Sequence, residues 1–204
     1  MLELPLLTYF AVMSITPGPN NLMLAASGVN FGFRRTVPHL LGISIGNGFQ
    51  LFVIASLLAM VLGWVESARL PLALAGCLYL LWLSWKIARA GHPEARAKAR
   101  PLGFFGAALF QWLNPKAWVM VVNTAILFMP AGATDRVIAA LVLAVTCMAI
   151  NFPCVSVWAW TGDRLRQWLA EDRARRQFNT VMAVLMAGTA LWLLGDEIRH
   201  AGLL

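Results

Sequence analysis

From Leu4 to Phe33 the chain carries no Asp, Glu, Lys or Arg, and this is the first of six apolar stretches. A helix needs about 20 apolar residues to cross a bilayer's hydrocarbon core, at ~1.5 Å each. The stretches Leu4 to Asn30, Val37 to Trp64, Leu70 to Ile87, Leu102 to Phe128, Val137 to Thr161 and Phe178 to Leu194 meet or nearly meet that length. The third is the shortest between charges, but Arg69 and Lys86 at its ends can snorkel to the interface. A membrane β-barrel would instead read as ~10-residue segments of alternating hydropathy. The expected fold is an all-α integral membrane protein with six transmembrane helices. Composition agrees: 60% of the residues are hydrophobic and 12% charged, where a soluble domain has about 25% charged.

The net charge of +7 does not indicate nucleic acid, because the basic residues lie in short loops between apolar runs and form no single solvated face. Their distribution gives direction. Arg34 and Arg35 follow the first run; Lys86, Arg89, Arg96, Lys98 and Arg100 follow the third; Arg164, Arg166, Arg173, Arg175 and Arg176 follow the fifth. These twelve fall on one side, against Arg69, Arg136 and Arg199 on the other. The excess of Lys and Arg marks the cytoplasmic side, so both termini are expected to face outward. The N-terminus has Glu3 where a signal peptide has positive charge, and is read as a retained helix. In "GDRLRQWLAEDRARRQF", the i, i+3, i+4 spacing of Leu165, Trp168 and Leu169 suits a short helix on the inner leaflet, with a solvated loop as the alternative. Cys77, Cys147 and Cys154 have neither CxxC nor metal-ligand spacing and read as buried thiols. No metal or cofactor is expected.

The first run is interrupted by "ITPGPNNLML". Pro17 and Pro19 have no N–H, so the carbonyls of Met13 and Ile15 lose their i+4 donors; Thr16 and Gly18, each before a proline, are pushed toward extended backbone. The fourth run is interrupted at "QWLNPKAWVM", where Pro115 strands the carbonyl of Gln111 and disfavours helix at Asn114. Three runs precede the basic stretch from Lys86 to Arg100 and three follow it, so any internal duplication is inverted. Paired interruptions at matching places in the two halves point to a transporter's binding site. The expected organisation is one transmembrane transporter domain over 1–204. It comprises a repeat over about 1–90 and a second over about 101–204, joined by a basic cytoplasmic linker, with helices 1 and 4 broken near the midplane.

Each break starts a new half-helix. Asn20 or Asn21 is a candidate cap for the first, and Asn114 for the second, with Pro115 at the first helical position. Both N-terminal ends then meet at mid-depth, presenting free N–H groups and positive dipole to an anion such as a carboxylate. Lys116 adds a cation at that depth, at a cost of about 2.5–3.5 kcal/mol on insertion scales. All nine acidic residues lie in loops, tails or span ends, which leaves backbone carbonyls or a substrate's carboxylate as its partner. The candidate substrate-binding residues are Thr16, Pro17, Gly18, Pro19, Asn20, Asn21, Gln111, Asn114, Pro115 and Lys116, with the carbonyls of Met13, Ile15 and Gln111 as acceptors for an ammonium group. Gly42 and Gly46 suggest a close helix crossing. Asn47, Gln50, Asn123 and Asn151 are pathway or interhelical hydrogen-bonding residues. Trp64, Trp82, Trp85, Trp158 and Trp160 fit an interfacial belt, and Trp112 and Trp118 flank the second break. His39, His92 and His200 receive no role.

The stretches "TPGPNN", "LYLLWLSWKIA", "FQWLNPKAW" and "GDRLR" resemble the LysE/RhtB family of amino-acid exporters over nearly the whole chain, and look somewhat like its cysteine and O-acetylserine branch. The resemblance implies a multi-pass protein of the bacterial inner membrane that exports an amino acid or a small relative, driven by the proton gradient. It carries the family's motif positions onto Pro17, Gly18, Pro19 and Asn20, and onto Asn114, Pro115 and Lys116. The expected partners are a small-molecule amino-acid substrate and the lipid bilayer, with no nucleic acid; an oligomer is compatible with this reading. With no acidic residue at mid-depth, a neutral amino acid is the preferred cargo, moved by alternating access. The alternatives are a membrane thiol-disulfide electron carrier, which needs paired cysteines on facing helices, and a passive small-solute channel. An enzyme is disfavoured, since the runs contain no intramembrane carboxylate, HExxH or GxSxG.

Overall fold

The computed structural model of the chain describes residues 4–90, 100–130, 135–169 and 171–200, with the side chains of 58–70, Ala90, Glu197 and His200 outside that description. Glu3, His92, Glu94, Arg96 and Lys98 therefore lie outside the described residues, as do the side chains of Trp64, Glu66 and Arg69. Among the described residues every regular element is a helix. Helices α1 (Leu4–Ile15) and α2 (Pro19–Phe31) divide the first apolar run, and α3 (Phe33–Ser56) and α4 (Leu58–Ala90) follow. Helix α5 (Phe104–Phe110), a 3₁₀ turn (Gln111–Leu113) and α6 (Pro115–Phe128) divide the fourth run; α7 (Arg136–Trp168) and α8 (Asp172–His200) complete the set.

Among the described residues four helices are long and apolar enough to cross a membrane: α3, α4 over Pro71–Arg89, α7, and α8 over Asp172–Asp196. Helix α1, the segment Phe104–Leu113 and α6 are shorter apolar helices. At 1.5 Å per residue, α1, α2 and α6 are each about 18–21 Å long, short of a ~30 Å hydrocarbon core. The interruptions foreseen at the two proline clusters are therefore real ends of helices, not kinks.

Three boundaries differ from the sequence expectation. The second run was expected to continue from Val37 to Trp64, but the chain turns at Leu57 and α4 then runs unbroken through 65–69, where a loop was expected. Neither Gly nor Pro marks that turn, and Glu and Arg are good helix formers that need not end a helix. The stretch after the fifth run is neither a separate helix nor a loop: α7 continues through Leu165 to Trp168. Helix α8 starts at Asp172, nearly two turns before Phe178, and the acid in its first turn complements the helix dipole.

A single residue, Gly32, joins α2 to α3. Its φ of 84° lies in the left-handed region open to glycine, and its N–H closes α2 on Gly28 O at 2.9 Å. A side chain there would also meet the Arg166 guanidinium and the Asp163 carboxylate.

Small residues let the helices approach closely. Gly28 of α2 lies against the Ala159 carbonyl of α7, and Gly162 of α7 against the Ala25 carbonyl of α2. Gly42 and Gly46 of α3 lie against Phe104, Ala107 and Ala108 of α5, the close crossing that their spacing suggested. Three buried clusters fill the rest. Leu6, Phe10, Leu51, Ile54, Val121 and Cys147 join α1, α3, α6 and α7. Leu22, Met23, Leu80, Leu83, Phe110 and Met186 join α2, α4, α5 and α8. Leu24, Leu40, Ile43, Ala107, Val155 and Ala159 join α2, α3, α5 and α7.

Helix α3 is central: 61% of its apolar window is buried inside the protein, against 22–33% for the other three long helices. The outer faces of those three expose large apolar side chains such as Leu78, Val145, Val184 and Trp192, far more apolar surface than a soluble monomer presents. Cations rest on aromatic rings at their ends, with Lys86 over Trp82 at 4.4 Å, Arg89 over Trp85 at 4.6 Å and Arg164 over Trp160 at 5.0 Å. That arrangement suits the boundary between lipid and water.

Candidate functional site

The first break is bound together by side chains that replace the missing N–H donors. Thr16 N makes the last helical bond of the segment, to Val12 O at 3.1 Å. Beyond it each stranded carbonyl has found a donor. Met13 O accepts from the Thr16 hydroxyl (3.3 Å), Ser14 O from Asn21 Nδ2 (2.8 Å) and Ile15 O from Trp158 Nε1 (3.0 Å). Thr16 O accepts from Asn21 Nδ2 and from Lys116 Nζ, at 2.8 and 2.7 Å. Pro17 O accepts from Lys116 Nζ at 3.2 Å. Buried carbonyls left without donors are costly, so the irregular backbone here is satisfied by the tertiary fold.

Those contacts revise two roles. The carbonyls of Met13 and Ile15 each already hold one donor, as does that of Gln111, which accepts from Asn114 N at 3.3 Å, so each offers a substrate's ammonium group only its second lone pair. Asn21 does not cap α2, whose N-cap is Gly18 without a side-chain bond. Its amide reaches back and ties the end of α1 to the start of α2. Trp158 is likewise more than an interfacial ring, since its indole N–H reaches the break.

The second break follows the sequence reading closely. Asn114 is extended (φ −90°, ψ 107°) and caps α6 by accepting from Lys116 N at 3.1 Å, with Pro115 at the first helical position. Trp112 and Trp118 pack edge to face at 5.9 Å, and Trp118 Nε1 donates to Trp112 O at 2.8 Å.

Two cross-links join the breaks. Asn20 Nδ2 donates to Gln111 Oε1 at 2.9 Å, while Gln111 Nε2 donates to Asn20 Oδ1 at 3.4 Å and to Ala107 O at 2.8 Å. The Lys116 ammonium makes the second link, donating also to Thr16 Oγ1 at 2.8 Å. Its three protons thus have three acceptors on Thr16 and Pro17, so backbone carbonyls, not a carboxylate, are its partners in this conformation. Gly18 makes room for it: a Cβ there would sit 2.9 Å from Lys116 Cδ and 3.3 Å from Nζ. All ten residues named from the sequence therefore lie at or between the two breaks.

Beside them is a cavity of about 30 Å³ lined by Ser14, Gly18, Asn20, Asn21, Asn47, Asn114, Lys116, Asn151 and apolar neighbours, with no carboxylate in its lining among the described residues. It holds about two waters at ~10–15 Å³ each, and no amino acid. A polar chain extends from it: Ser44 Oγ donates to Asn151 Oδ1 and Asn151 Nδ2 to Ser14 Oγ, both at 2.9 Å. The Oδ1 atoms of Asn21 and Asn47 are buried with no hydrogen-bond partner among the described residues, which makes them acceptors free to take a ligand's ammonium. Ser14 and Ser44 were not singled out in the sequence, and Asn47 and Asn151 only as pathway or interhelical hydrogen-bonding residues; Asn151 makes such interhelical bonds. Their partners lie more than 100 residues away or across the cavity, and no local motif marks them.

The three cysteines are free; Cys77 and Cys147 are buried in separate clusters and Cys154 is half-buried. Among the described residues no group of three His, Cys, Asp or Glu side chains converges as a metal site.

Comparison with known proteins gives one consistent result. The sequence profile of the LysE type translocator family matches residues 11–197. A cysteine/O-acetylserine efflux protein of Escherichia coli strain K12 is 29% identical over 187 residues, spanning 90% of this chain and 93% of its own. The protein of the same description from Salmonella typhimurium is 28% identical over 196 residues, with the same coverage. No solved structure gives a significant match.

Proposed function

The chain belongs to the LysE type translocator family, and from that premise we propose that it is a secondary active exporter of neutral amino acids or their small derivatives, driven by the proton gradient. Similarity to cysteine/O-acetylserine efflux proteins supports this choice of zwitterions with uncharged side chains as the first candidate cargoes. The observation that carries the reading is the meeting of two helix starts. The N-terminal ends of α2 and α6, each opened by a proline, border one polar cavity without a carboxylate and are bridged by Lys116. The first N–H groups of a helix have no intrahelical acceptor, and with the dipole they favour an anion. A substrate with a second ammonium group, such as lysine, finds no acid in the described lining to meet it.

In this reading the chain crosses the membrane six times, α1 with α2 and α5 with α6 each forming one broken crossing. Residues 1–90 and 101–204 are inverted repeats within one transmembrane domain, joined by the basic linker. Support comes from the packing: α3 lies on α7 and α4 on α8, the helices such a repeat would relate, and α1 on α7 mirrors α5 on α3. The positive-inside rule places the twelve clustered Lys and Arg residues in the cytoplasm and both termini in the periplasm of a bacterial inner membrane.

The cavity between the breaks admits no amino acid, so the conformation described is a closed stage of an alternating-access cycle. Opening parts the Lys116 bonds to Thr16 and Pro17. The substrate carboxylate then takes over the ammonium of Lys116 and the N–H groups of the half-helices, and the substrate ammonium goes to Asn21 and Asn47 Oδ1. Each lost charge-assisted bond is replaced by another, so the exchange has no large uphill step. A passive channel fits poorly with a cavity of two-water size, and an electron carrier fits poorly with free thiols in separate clusters. The test is counterflow of labelled O-acetylserine in proteoliposomes, followed by uphill transport under an imposed proton gradient. Saturable exchange, with uphill transport abolished by a protonophore, is expected; flux that never saturates and ignores the protonophore would refute it.

A further inference from the structure

A second cavity, of about 410 Å³, lies between α2, the start of α3, the end of α4 and the segment leading into α5. It is more than ten times the volume of the cavity at the breaks and falls in the ~300–1,000 Å³ range of small-molecule sites. Met23, Ala26, Leu83, Ile87 and Leu102 supply apolar wall; Ser27, Asn30, His39, Lys86 and Arg100 supply polar and cationic groups, and no carboxylate contributes among the described residues.

His39 is its unusual member. The ring is 2% exposed, yet neither Nδ1 nor Nε2 has a hydrogen-bond partner among the described residues. The other buried polar walls are already engaged: Ser27 with Thr36 at 2.8 Å, and Asn30 with Asn179 in a reciprocal amide pair at 2.8 and 3.0 Å. A buried imidazole with both nitrogens unmatched is expensive and is retained most readily where a ligand completes it. A neutral imidazole offers one donor and one acceptor, which matches a zwitterion's carboxylate and ammonium.

The position suits an entrance. Lys86 and Arg100, both exposed, stand in the cavity's lining and belong to the basic cluster assigned to the cytoplasm. Asn21 lines the first cavity and Met23 the second, two residues apart on α2. On α3, His39 and Asn47 line the second and first cavities respectively, eight residues apart, about 12 Å along the axis.

We propose that this cavity is the cytoplasmic loading site of the exporter, where His39, with Lys86 and Arg100 at the rim, receives the carboxylate of a zwitterionic amino acid before it reaches the breaks. The inference rests on the exporter reading above. Its test pairs kinetics with occupancy. In proteoliposomes, His39→Leu raises the half-saturating O-acetylserine concentration on the basic-loop side by about ten- to a hundred-fold, the loss expected for a hydrogen bond to a charged group. The maximal rate changes far less, and His39→Gln, which keeps a donor and an acceptor, recovers part of the affinity. Independently, Ile87→Cys is alkylated by N-ethylmaleimide and read by site-resolved mass spectrometry, with the native cysteines as internal controls. O-acetylserine slows alkylation of the introduced thiol several-fold, and an analogue lacking the carboxylate does not.

If wild-type counterflow proceeds but O-acetylserine gives no protection and His39→Leu leaves the half-saturating concentration unchanged, the loading site is wrong and the exporter stands. If no counterflow occurs, the exporter reading fails, and with it the loading role. Protection that follows phosphatidylglycerol in the vesicles instead of the amino acid would assign the cavity to a lipid headgroup and overturn the proposal.

Discussion

Replacing Asn21 with leucine keeps the branched shape of the side chain and removes both of its amide donors. In the folded protein Asn21 is 3% exposed and its Nδ2 serves two backbone carbonyls, those of Ser14 and Thr16, each at 2.8 Å. Ser14 O has no other recorded donor, so its loss leaves a buried orphan, worth about 1–3 kcal/mol. Thr16 O keeps Lys116 at 2.7 Å, so losing its second bond costs only about 0.5–1.5 kcal/mol. The total is about 2–4 kcal/mol, a fall of roughly thirty- to a thousand-fold in the folded-to-unfolded ratio. Reversible unfolding in mixed micelles by SDS titration reads it. Asn20→Leu is the internal comparison: it orphans Gln111 Oε1, at about 1–3 kcal/mol, while Gln111 Nε2 keeps its bond to Ala107 O, so one buried acceptor is affected instead of the two that Asn21 serves. An Asn21→Leu variant within ~0.5 kcal/mol of wild type, or less destabilised than Asn20→Leu, would refute the claim that this side chain holds the break together.

Three further outcomes follow from the packing. Gly162→Ala drives a Cβ into the Ala25 carbonyl of α2, and since backbone cannot swing aside the cost reaches or exceeds about 1–3 kcal/mol; Gly188→Ala meets nothing within 4 Å and stabilises by about 0.4–1 kcal/mol. Melting curves by fluorescence-detected size exclusion separate the two signs. Trp158→Phe removes the donor to Ile15 O and lowers stability by about 0.5–1.5 kcal/mol, whereas Trp160→Phe, at an exposed ring, changes it by less than ~0.5 kcal/mol. Replacing Cys77, Cys147 and Cys154 together with serine leaves counterflow running once the protein is reconstituted, because no thiol lines either cavity; loss of flux in well-folded protein would revive a redox role.

What the sequence made readable is what proline and charge decide locally. Pro17, Pro19 and Pro115 remove N–H groups wherever they stand, so the ends of α1, α2 and α6 and the cap at Asn114 could be foreseen from neighbours alone. Gly42 and Gly46 announced a crossing because their spacing puts them on one helix face. The turn at Leu57 carries no such mark, and α4 runs through Glu66 and Arg69 because those residues tolerate a helix as well as a loop. The partners of the freed carbonyls were also hidden: Trp158 lies 143 residues from Ile15 and Asn151 lies 137 from Ser14, contacts that only the packing of α7 on α1 creates. His39 looked like an ordinary residue near the end of a run; its importance comes from burial beside a cavity, which no single element encodes.

The central claim is that Lys116 binds the two breaks together and passes its ammonium to the substrate's carboxylate during transport. Lys116→Met tests it, with folding measured on the same sample because the opposing terms offset each other only in part. Three bonds to Thr16 and Pro17 are lost, at about 1.5–3 kcal/mol each for a charged donor, while the ~2.5–3.5 kcal/mol cost of a lysine at that depth disappears, leaving a net loss of about 1–6.5 kcal/mol. O-acetylserine counterflow by reconstituted Lys116→Met protein, with inserted amount and melting temperature measured on the same sample, is the decisive measurement. The account predicts normal insertion, a lowered melting temperature that still lies above the assay temperature, and flux at the level of empty liposomes from the folded protein. Wild-type flux from that variant would contradict it.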